Sequence, residues 1–334
     1  MEGPLSPTRG FSVRIRPLAA LSVAALSAVL LAGCASSNTP DADSTPTPTA
    51  SSSDCGLDPK SGADSDAITV SGSAPSLTAT APTDLAFTEL QRTTASKGDG
   101  DDLATGQLVS GQYLVLDPTT GEVAMDSATT SPDDSGLVPI IVDPSSIFGT
   151  GVLCTPLGSS TSLTIPGSML SQGASNVVVV MQSVDQLPTT ATGADQDPVA
   201  GMPEVELDSD GKPSVTIPDA DPPTEVQLAD LKLGDGPTVQ SGDQVFVQYM
   251  GIKWSDGSEF DSSWSKGVPA SFQTTGVVQG FQQALEGQNV GSQVLVVIPP
   301  AAGYGEGEIN DSDLKGETLV FVIDILGVQH TPQQ

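Results

Sequence analysis

The stretch VFVQYMGIKWSDGSEFDSS, residues 245–263, decides how the C-terminal part of this chain is read. Val245, Val247 and Tyr249 alternate with Phe246, Gln248 and Met250, the two-residue period of a β-strand. Asp256-Gly257 is a hairpin signal, because glycine takes positive φ without a steric penalty. Glu259, Phe260 and Asp261 begin the return strand. SSWSKGVPA then reads as a loop and Ser271–Gln273 as a short strand.

Further along, VVQGFQQALEG (277–287) reads as a short amphipathic helix. Val277/Val278, Phe281 and Ala284/Leu285 recur at helical steps, and Gly287 is its stop. SQVLVVIPP (292–300) reads as a buried strand ended by prolines, and AGYGEGE (302–308) as a Gly-rich loop. In the last strand Leu319, Phe321, Ile323 and Ile325 share a face. The pattern predicts an α+β half-barrel: an antiparallel curved sheet wrapped on a short helix, with the first hairpin and the 300–318 loop at its open end.

The rest of the chain repeats this order in outline. Gly98-Asp99-Gly100 matches Gly234-Asp235-Gly236. LVLDPTTGEVAMDSA (114–128) parallels VQYMGIKWSDGSEFDSS (247–263). GTGVLCTPLGSSTSLTIP (149–166) parallels 279–299, and NVVVVMQSV parallels TLVFVIDIL. DAITVSG (66–72) and PEVELDS (203–209) read as first edge strands. Two half-barrels are therefore expected, at 64–187 and 199–330, joined by a linker at 188–198.

The ordered set VQYMG, EFDSS, VVQGFQQAL, IPPAAGYG and TLVFVIDIL resembles the FKBP family of macrolide-binding peptidyl-prolyl cis–trans isomerases. The resemblance is strong over about a third of the chain and reaches the first copy only as a degenerate echo. It implies a prolyl pocket formed by Tyr249, Phe260, Asp261, Val277, Val278, Phe281, Tyr304 and Phe321, with the backbone N–H of Val278 as a donor to a ligand carbonyl. Three positions depart from the family's pattern. Phe281 stands where Trp is usual, Ala270 where a pocket Phe is usual, and Ala302 where Tyr is frequent. These changes imply weakened macrolide binding. Aligned as above, copy one has no counterpart of Tyr249. It carries Met125-Asp126 in place of Phe-Asp and offers no aromatic floor between Gly151 and Leu157, so it is expected to be catalytically silent.

The chemistry implied needs no cofactor. A prolyl amide is planar by resonance, with a rotation barrier of roughly 18–20 kcal/mol. The twisted amide has a less polar carbonyl, so a dry apolar pocket favours it over the planar one. Composition points the same way. The single histidine, His330, makes a His-dependent nucleophile or a His-ligated zinc site improbable. A formal net charge of -30 argues against a nucleic-acid partner. No P-loop is present, and the acidic clusters Asp99/Asp101/Asp102 and Asn310/Asp311/Asp313 do not complete an EF-hand pattern. Trp254 and Trp264 read either as apolar grips for an unfolded client or as plain surface residues.

The N-terminus reads as an address. Arg9, Arg14 and Arg16 precede the apolar Leu18–Leu31, and Leu31-Ala32-Gly33-Cys34 resembles a lipoprotein lipobox. Residues 1–33 are then a signal peptide and Cys34 the lipidated residue. The alternative is an ordinary secretory signal with an incidental cysteine. Residues 34–63 are rich in Ser, Thr, Pro and Asp and read as a disordered tether. With Cys34 lipidated, Cys55 and Cys154 remain, an even pair in an oxidising compartment, and a Cys55–Cys154 disulfide is expected over two free thiols. Such a long closed loop gives about 4 kcal/mol in the chain-entropy account. The expected protein is an extracytoplasmic isomerase, lipid-anchored to the cell membrane, whose partners are exported proteins with X-Pro bonds. The alternative is a non-catalytic chaperone or scaffold lipoprotein that reuses the fold.

Overall fold

The computed structural model describes residues 59–310 and 313–331. The expected signal peptide, Cys34, Cys55 and most of the expected tether lie outside the described residues. Cys154 is disulfide-bonded.

The first half contains α1 (Ala63–Asp66), β1 (Thr69–Ser71), β2 (Thr78–Thr80), β3 (Gln91–Ser96), β4 (Leu108–Leu116), β5 (Val123–Asp126), β6 (Val138–Ile141), α2 (Ile147–Val152), β7 (Ser160–Ile165), α3 (Gly167–Leu170) and β8 (Val177–Leu187). The second contains β9 (Ala194–Asp195), β10 (Glu204–Leu207), β11 (Pro213–Thr216), β12 (Gln227–Leu233), β13 (Gln244–Lys253), β14 (Glu259–Ser262), α4 (Ser263–Lys266), β15 (Ala270–Gln273), α5 (Gln279–Leu285), β16 (Gln293–Ile298) and β17 (Leu319–Gln329). One antiparallel sheet runs β3-β7-β8-β4-β5 with β6 on β4. The other runs β14-β13-β17-β16-β12-β9 with β15 on β13. Apart from β9, the two have the same connectivity.

Side-chain detail repeats as well. The N–H of Gly98 donates to Ser159 Oγ at 3.0 Å and that of Gly234 to Ser292 Oγ at 2.9 Å. The N–H of Gly100 reaches Leu157 O, and that of Gly236 reaches Val290 O. The Gly-Asp-Gly motif therefore locks the same crossing in both halves.

β17 is buried from Leu319 to Val328, which explains its unbroken apolar run. Leu319, Phe321, Ile323 and Ile325 pack toward α5 with Phe281, Ala284 and Leu285. Val320 and Val322 face the other way, into a second core with Met250, Ile252 and Trp254. That outer core is covered by the β10–β11 hairpin through Val205 and Val215. The first half is built alike, with Ala79 and Val70 of the β1–β2 hairpin against Leu114, Leu116, Val178 and Val180.

Several expectations are corrected here. DAITVSG and PEVELDS are not edge strands of the main sheets. Each contributes to a separate hairpin, because the outer sheet face is itself apolar and needs a cover. SSWSKGVPA is not all loop: α4 is a one-turn helix, capped by Ser262 and stopped by Gly267 at φ 73°. The expected linker at 188–198 carries a short strand. Its Ala194–Asp195 pairs with β12, and the N–H of Ala191 donates to the buried Asp324 at 2.9 Å. Trp254 is an outer-core residue, only 9% exposed, with its N–H directed at Ala220 O, and Trp264 packs on the same core.

The halves also touch. Leu108 of β4 packs with Phe246 and Leu326, and Gln329 Nε2 donates to Tyr113 Oη at 2.9 Å and to Thr130 Oγ1 at 2.8 Å.

Gly280 in α5 lies so close to β16 that a Cβ there would stand 2.5 Å from Ile298 Cγ2. Helix propensity favours alanine over glycine by about 1 kcal/mol. Overpacking against a buried β-branched side chain costs roughly 1–3 kcal/mol. Gly280→Ala is therefore expected to lower the urea midpoint; an unchanged or raised midpoint would show that β16 yields freely.

Candidate functional site

The site is built on the inner face of the second sheet. β13 alternates between two buried faces, and this sends Tyr249 inward beside Val245 and Val247. Its register is fixed from the adjacent segment: the N–H of Tyr249 donates to Ser263 Oγ at 2.8 Å, and that hydroxyl donates to Gln248 Oε1. β14 brings Phe260 and Asp261 alongside, β15 brings Phe272, α5 brings Phe281, and β17 brings Phe321.

The aromatic rings form one continuous set. Phe281 lies 5.0 Å from Phe321 and 5.6 Å from Phe272, centroid to centroid, both edge-to-face. Tyr249 lies 5.5 Å from Phe272 and 6.2 Å from Phe281. Phe260 meets Phe321 edge-on at 5.5 Å. Such contacts add about 0.5–1.5 kcal/mol each beyond burial. Gly251 permits the last one, since a Cβ there would lie 2.7 Å from Phe321 Cε1 and 2.8 Å from Phe260 Cζ. Tyr249, Phe281 and Phe321 are buried, whereas Phe260, Phe272, Val277, Val278, Ala302 and Leu314 are half-buried around them. The result is an aromatic floor with partly open apolar walls.

Val278 is the N-cap of α5 in extended conformation, and its carbonyl accepts the N–H of Gln282 at 3.0 Å. Tyr304 sits on the loop that supplies Ala302 and Leu314, and it is half exposed. Thus Tyr249, Phe260, Val277, Val278, Phe281 and Phe321 converge on one cluster. Asp261 joins them through a hydrogen bond, while Tyr304 stands out toward solvent.

One polar group of residues closes the edge of this floor. Tyr249 Oη donates to Asp261 Oδ2 at 2.6 Å, and Lys266 Nζ reaches Asp261 Oδ1 at 2.5 Å and Tyr249 Oη at 3.3 Å. Burial pushes the Tyr249 phenol up to about 12, helped by its hydrogen bond to Asp261. Burial acts to raise Asp261 too, but the hydrogen bonds from Lys266 and Tyr249 outweigh it and hold the carboxyl below its ordinary value. The same bond to Asp261 raises Lys266. None of the three changes protonation near neutrality. The arrangement orients and neutralises; it is not poised for acid–base transfer.

Lys266 was not foreseen. Its signal was the cap Ser262 and the stop Gly267, which frame one helical turn and return the lysine to Asp261. Phe272, not among the expected pocket residues, is a wall of the floor.

The first half requires a larger correction. Tyr113 is the counterpart of Tyr249: its N–H donates to Ser127 Oγ at 2.8 Å, as that of Tyr249 does to Ser263. Leu114 pairs with Asp126 and Met250 with Ser262, so Met125, not Asp126, stands in the place of Asp261. Phe148 in α2 lies 4.3 Å from the Tyr113 ring, centroid to centroid. The first half therefore has a tyrosine and an aromatic floor but lacks the carboxylate.

Residues 236–326 match the profile of the FKBP-type peptidyl-prolyl cis-trans isomerase family. The FK506-binding protein of Streptomyces anulatus is 39% identical over 120 residues, which span 35% of this chain and 97% of that protein. The chain belongs to the FKBP-type peptidyl-prolyl isomerase family. The probable FK506-binding protein of Corynebacterium glutamicum is 36% identical over 115 residues, 34% of this chain and 97% of the relative. The crystal structure of FkpA from Escherichia coli aligns at 29% identity and a TM-score of 0.30, over 40% of this chain and 54% of that one. The FKBP match falls wholly within the second half, where the aromatic floor and the Tyr249–Asp261–Lys266 group lie.

Because folding lowers the pKa of Asp261, its ionised form contributes stability that is complete above the ordinary value of 3.8 and is lost as pH falls through the lowered folded value. Asp261→Asn should unfold at lower urea than the parent at pH 7, and the gap should close as pH drops below 3.8. A gap that widens toward acid contradicts this.

Proposed function

We propose that the second half isomerises X-Pro bonds of exported polypeptides by non-covalent means, with Tyr249, Phe260, Asp261, Val277, Val278, Phe281, Tyr304 and Phe321 as its site. The observation that carries the reading is the aromatic floor edged by a polar group of fixed protonation. The prolyl ring rests on Phe281 between Tyr249, Phe260 and Phe321. Water is kept from the amide, so the less polar twisted carbonyl gains relative to the planar one. The N–H of Val278 holds a flanking carbonyl. No proton has to move, which agrees with the raised Tyr249, the lowered Asp261 and the raised Lys266 at the edge of the floor.

The compact unit Ala50–Gln334 should accelerate cis–trans exchange of a Leu-Pro tetrapeptide and proline-limited refolding of a protein substrate. Phe281→Ala and Asp261→Ala should each lower kcat/KM by about tenfold or more, a loss of at least about 1.4 kcal/mol of transition-state stabilisation. Exchange at the buffer rate for the parent would leave the alternative, a chaperone or scaffold that reuses the fold.

Two relatives are named for binding FK506. In this chain we expect such macrolides to bind more weakly, because half-buried Ala270 and Ala302 leave the walls of the cleft thin.

The address follows from sequence alone. The lipobox ending in Cys34 supports lipid anchoring to the outer face of the cell membrane, with residues 34–63 as tether. Disulfide-bonded Cys154 supports an oxidising compartment, and Cys55 is the partner we propose for it. Cys34→Ser should abolish incorporation of labelled fatty acid and move the protein from the membrane fraction to the soluble one; undiminished labelling would refute the lipobox reading.

A further inference from the structure

One cavity lies apart from the aromatic cleft of the second half. It lies between the halves, has a volume of about 830 Å³, and is lined mainly by apolar surface from both. That size falls within the roughly 300–1,000 Å³ of ligand-binding clefts. On one side it reaches Tyr113, Met125, Ile140 and Phe148, and on the other Lys266 and Ala270.

Two features identify what it would hold. The first is the repeat. Tyr113 and Phe148 stand where Tyr249 and Phe281 stand in the second half, so the cavity lies over the first half's counterpart of the aromatic floor, reduced to one ring pair. Its tyrosine is held differently. Tyr113 Oη accepts from Gln329 Nε2, across the junction, and the position of Asp261 is taken by the exposed Met125. An acidic edge has been exchanged for an apolar one, so apolar contact is kept and the polar group is lost.

The second feature is continuity. Lys266 bonds to Asp261 and Tyr249 at the candidate isomerase site and also lines the cavity. Ala270 packs on the aromatic core and also lines the cavity. The two walls include β6 and β15, and among the described residues each is paired along one edge only, β6 to β4 and β15 to β13. Pro139, Ile140 and Ile141 of β6 and Ala270 and Ser271 of β15 line the cavity from its two sides.

We propose that this cavity binds, without isomerising it, an apolar proline-containing stretch of the unfolded polypeptide on which the isomerase site acts. The choice of ligand rests on the isomerase reading above. Holding one stretch in the cavity raises the effective concentration of neighbouring X-Pro bonds at the second half.

The test uses the unit Ala50–Gln334 and two probes: a fluorescein-labelled twelve-residue apolar peptide with one Leu-Pro, read by anisotropy, and a Leu-Pro tetrapeptide, read by exchange rate. Met125→Glu places a carboxylate at the exposed edge of the cavity, and Phe148→Leu thins its floor. Both are expected to weaken the twelve-residue peptide by about tenfold while tetrapeptide kcat/KM stays within about twofold of the parent. Affinity for the longer peptide within about twofold of the parent in both variants overturns the proposal, as does a parallel fall in tetrapeptide turnover, which would mean one shared site. A parent inert toward the tetrapeptide overturns the isomerase reading, and the anisotropy ratio still decides whether the cavity binds.

Discussion

The structure depends on the burial of β17 from both sides. This strand pairs with β13 from Lys253↔Leu319 to Gln244↔Gln329 and with β16 along the other edge. Its odd-numbered residues, from Leu319 to Ile325, form the inner core under α5, and Val320 and Val322 form the outer core under the β10–β11 hairpin. Each fully buried aliphatic side chain is worth roughly 1.5–3 kcal/mol, so one strand holds together three layers. It also sets the site, since Phe321 lies in the middle of the strand and supports both Phe260 and Phe281. Its end reaches the first half through Leu326 and Gln329.

Most of this order is legible in sequence because it is local. Alternation in 245–250, glycine at 257 and the spacing of Val277, Phe281 and Leu285 each follow from one element's own geometry. What sequence reading missed was relational. Aligning Leu114 with Val247 displaced the first half by an odd number of residues, and in a strand an odd displacement exchanges the two faces. Leu114 belongs to the outer core, whereas Val247 belongs to the inner one. With that register Tyr113 was overlooked, although Gln112-Tyr113 and Ser127 repeat Gln248-Tyr249 and Ser263. The hairpins 69–80 and 204–216 were misplaced for a related reason. A short alternating strand looks the same whether it extends a sheet edge or covers a sheet face.

Of the candidate site, the aromatic members were legible through the family resemblance, and their packing follows from strand alternation. Lys266 was not, because its approach to Asp261 depends on a one-turn helix that reads as loop. The consequence is chemical. Without Lys266, Asp261 would keep the Tyr249 hydroxyl as a donor but lose the cation that neutralises it. With it, phenol, carboxylate and ammonium form a closed group whose protonation does not change near neutrality. A chain with a single histidine therefore needs none at this site under the proposed mechanism, which asks for shape and dryness rather than proton transfer. The first half shows the converse, since keeping the tyrosine and phenylalanine but placing Met125 where Asp261 would be leaves a surface suited to contact alone.

The most direct test of the assignment is amide chemical-shift mapping with a short Leu-Pro peptide, combined with exchange spectroscopy of the peptide's own cis and trans signals. The account predicts saturable shifts centred on Tyr249, Val278, Phe281 and Phe321, with cis–trans exchange peaks that appear only when protein is present. Shifts confined to residues outside that cluster, or exchange no faster than in buffer while the cluster is occupied, would contradict it.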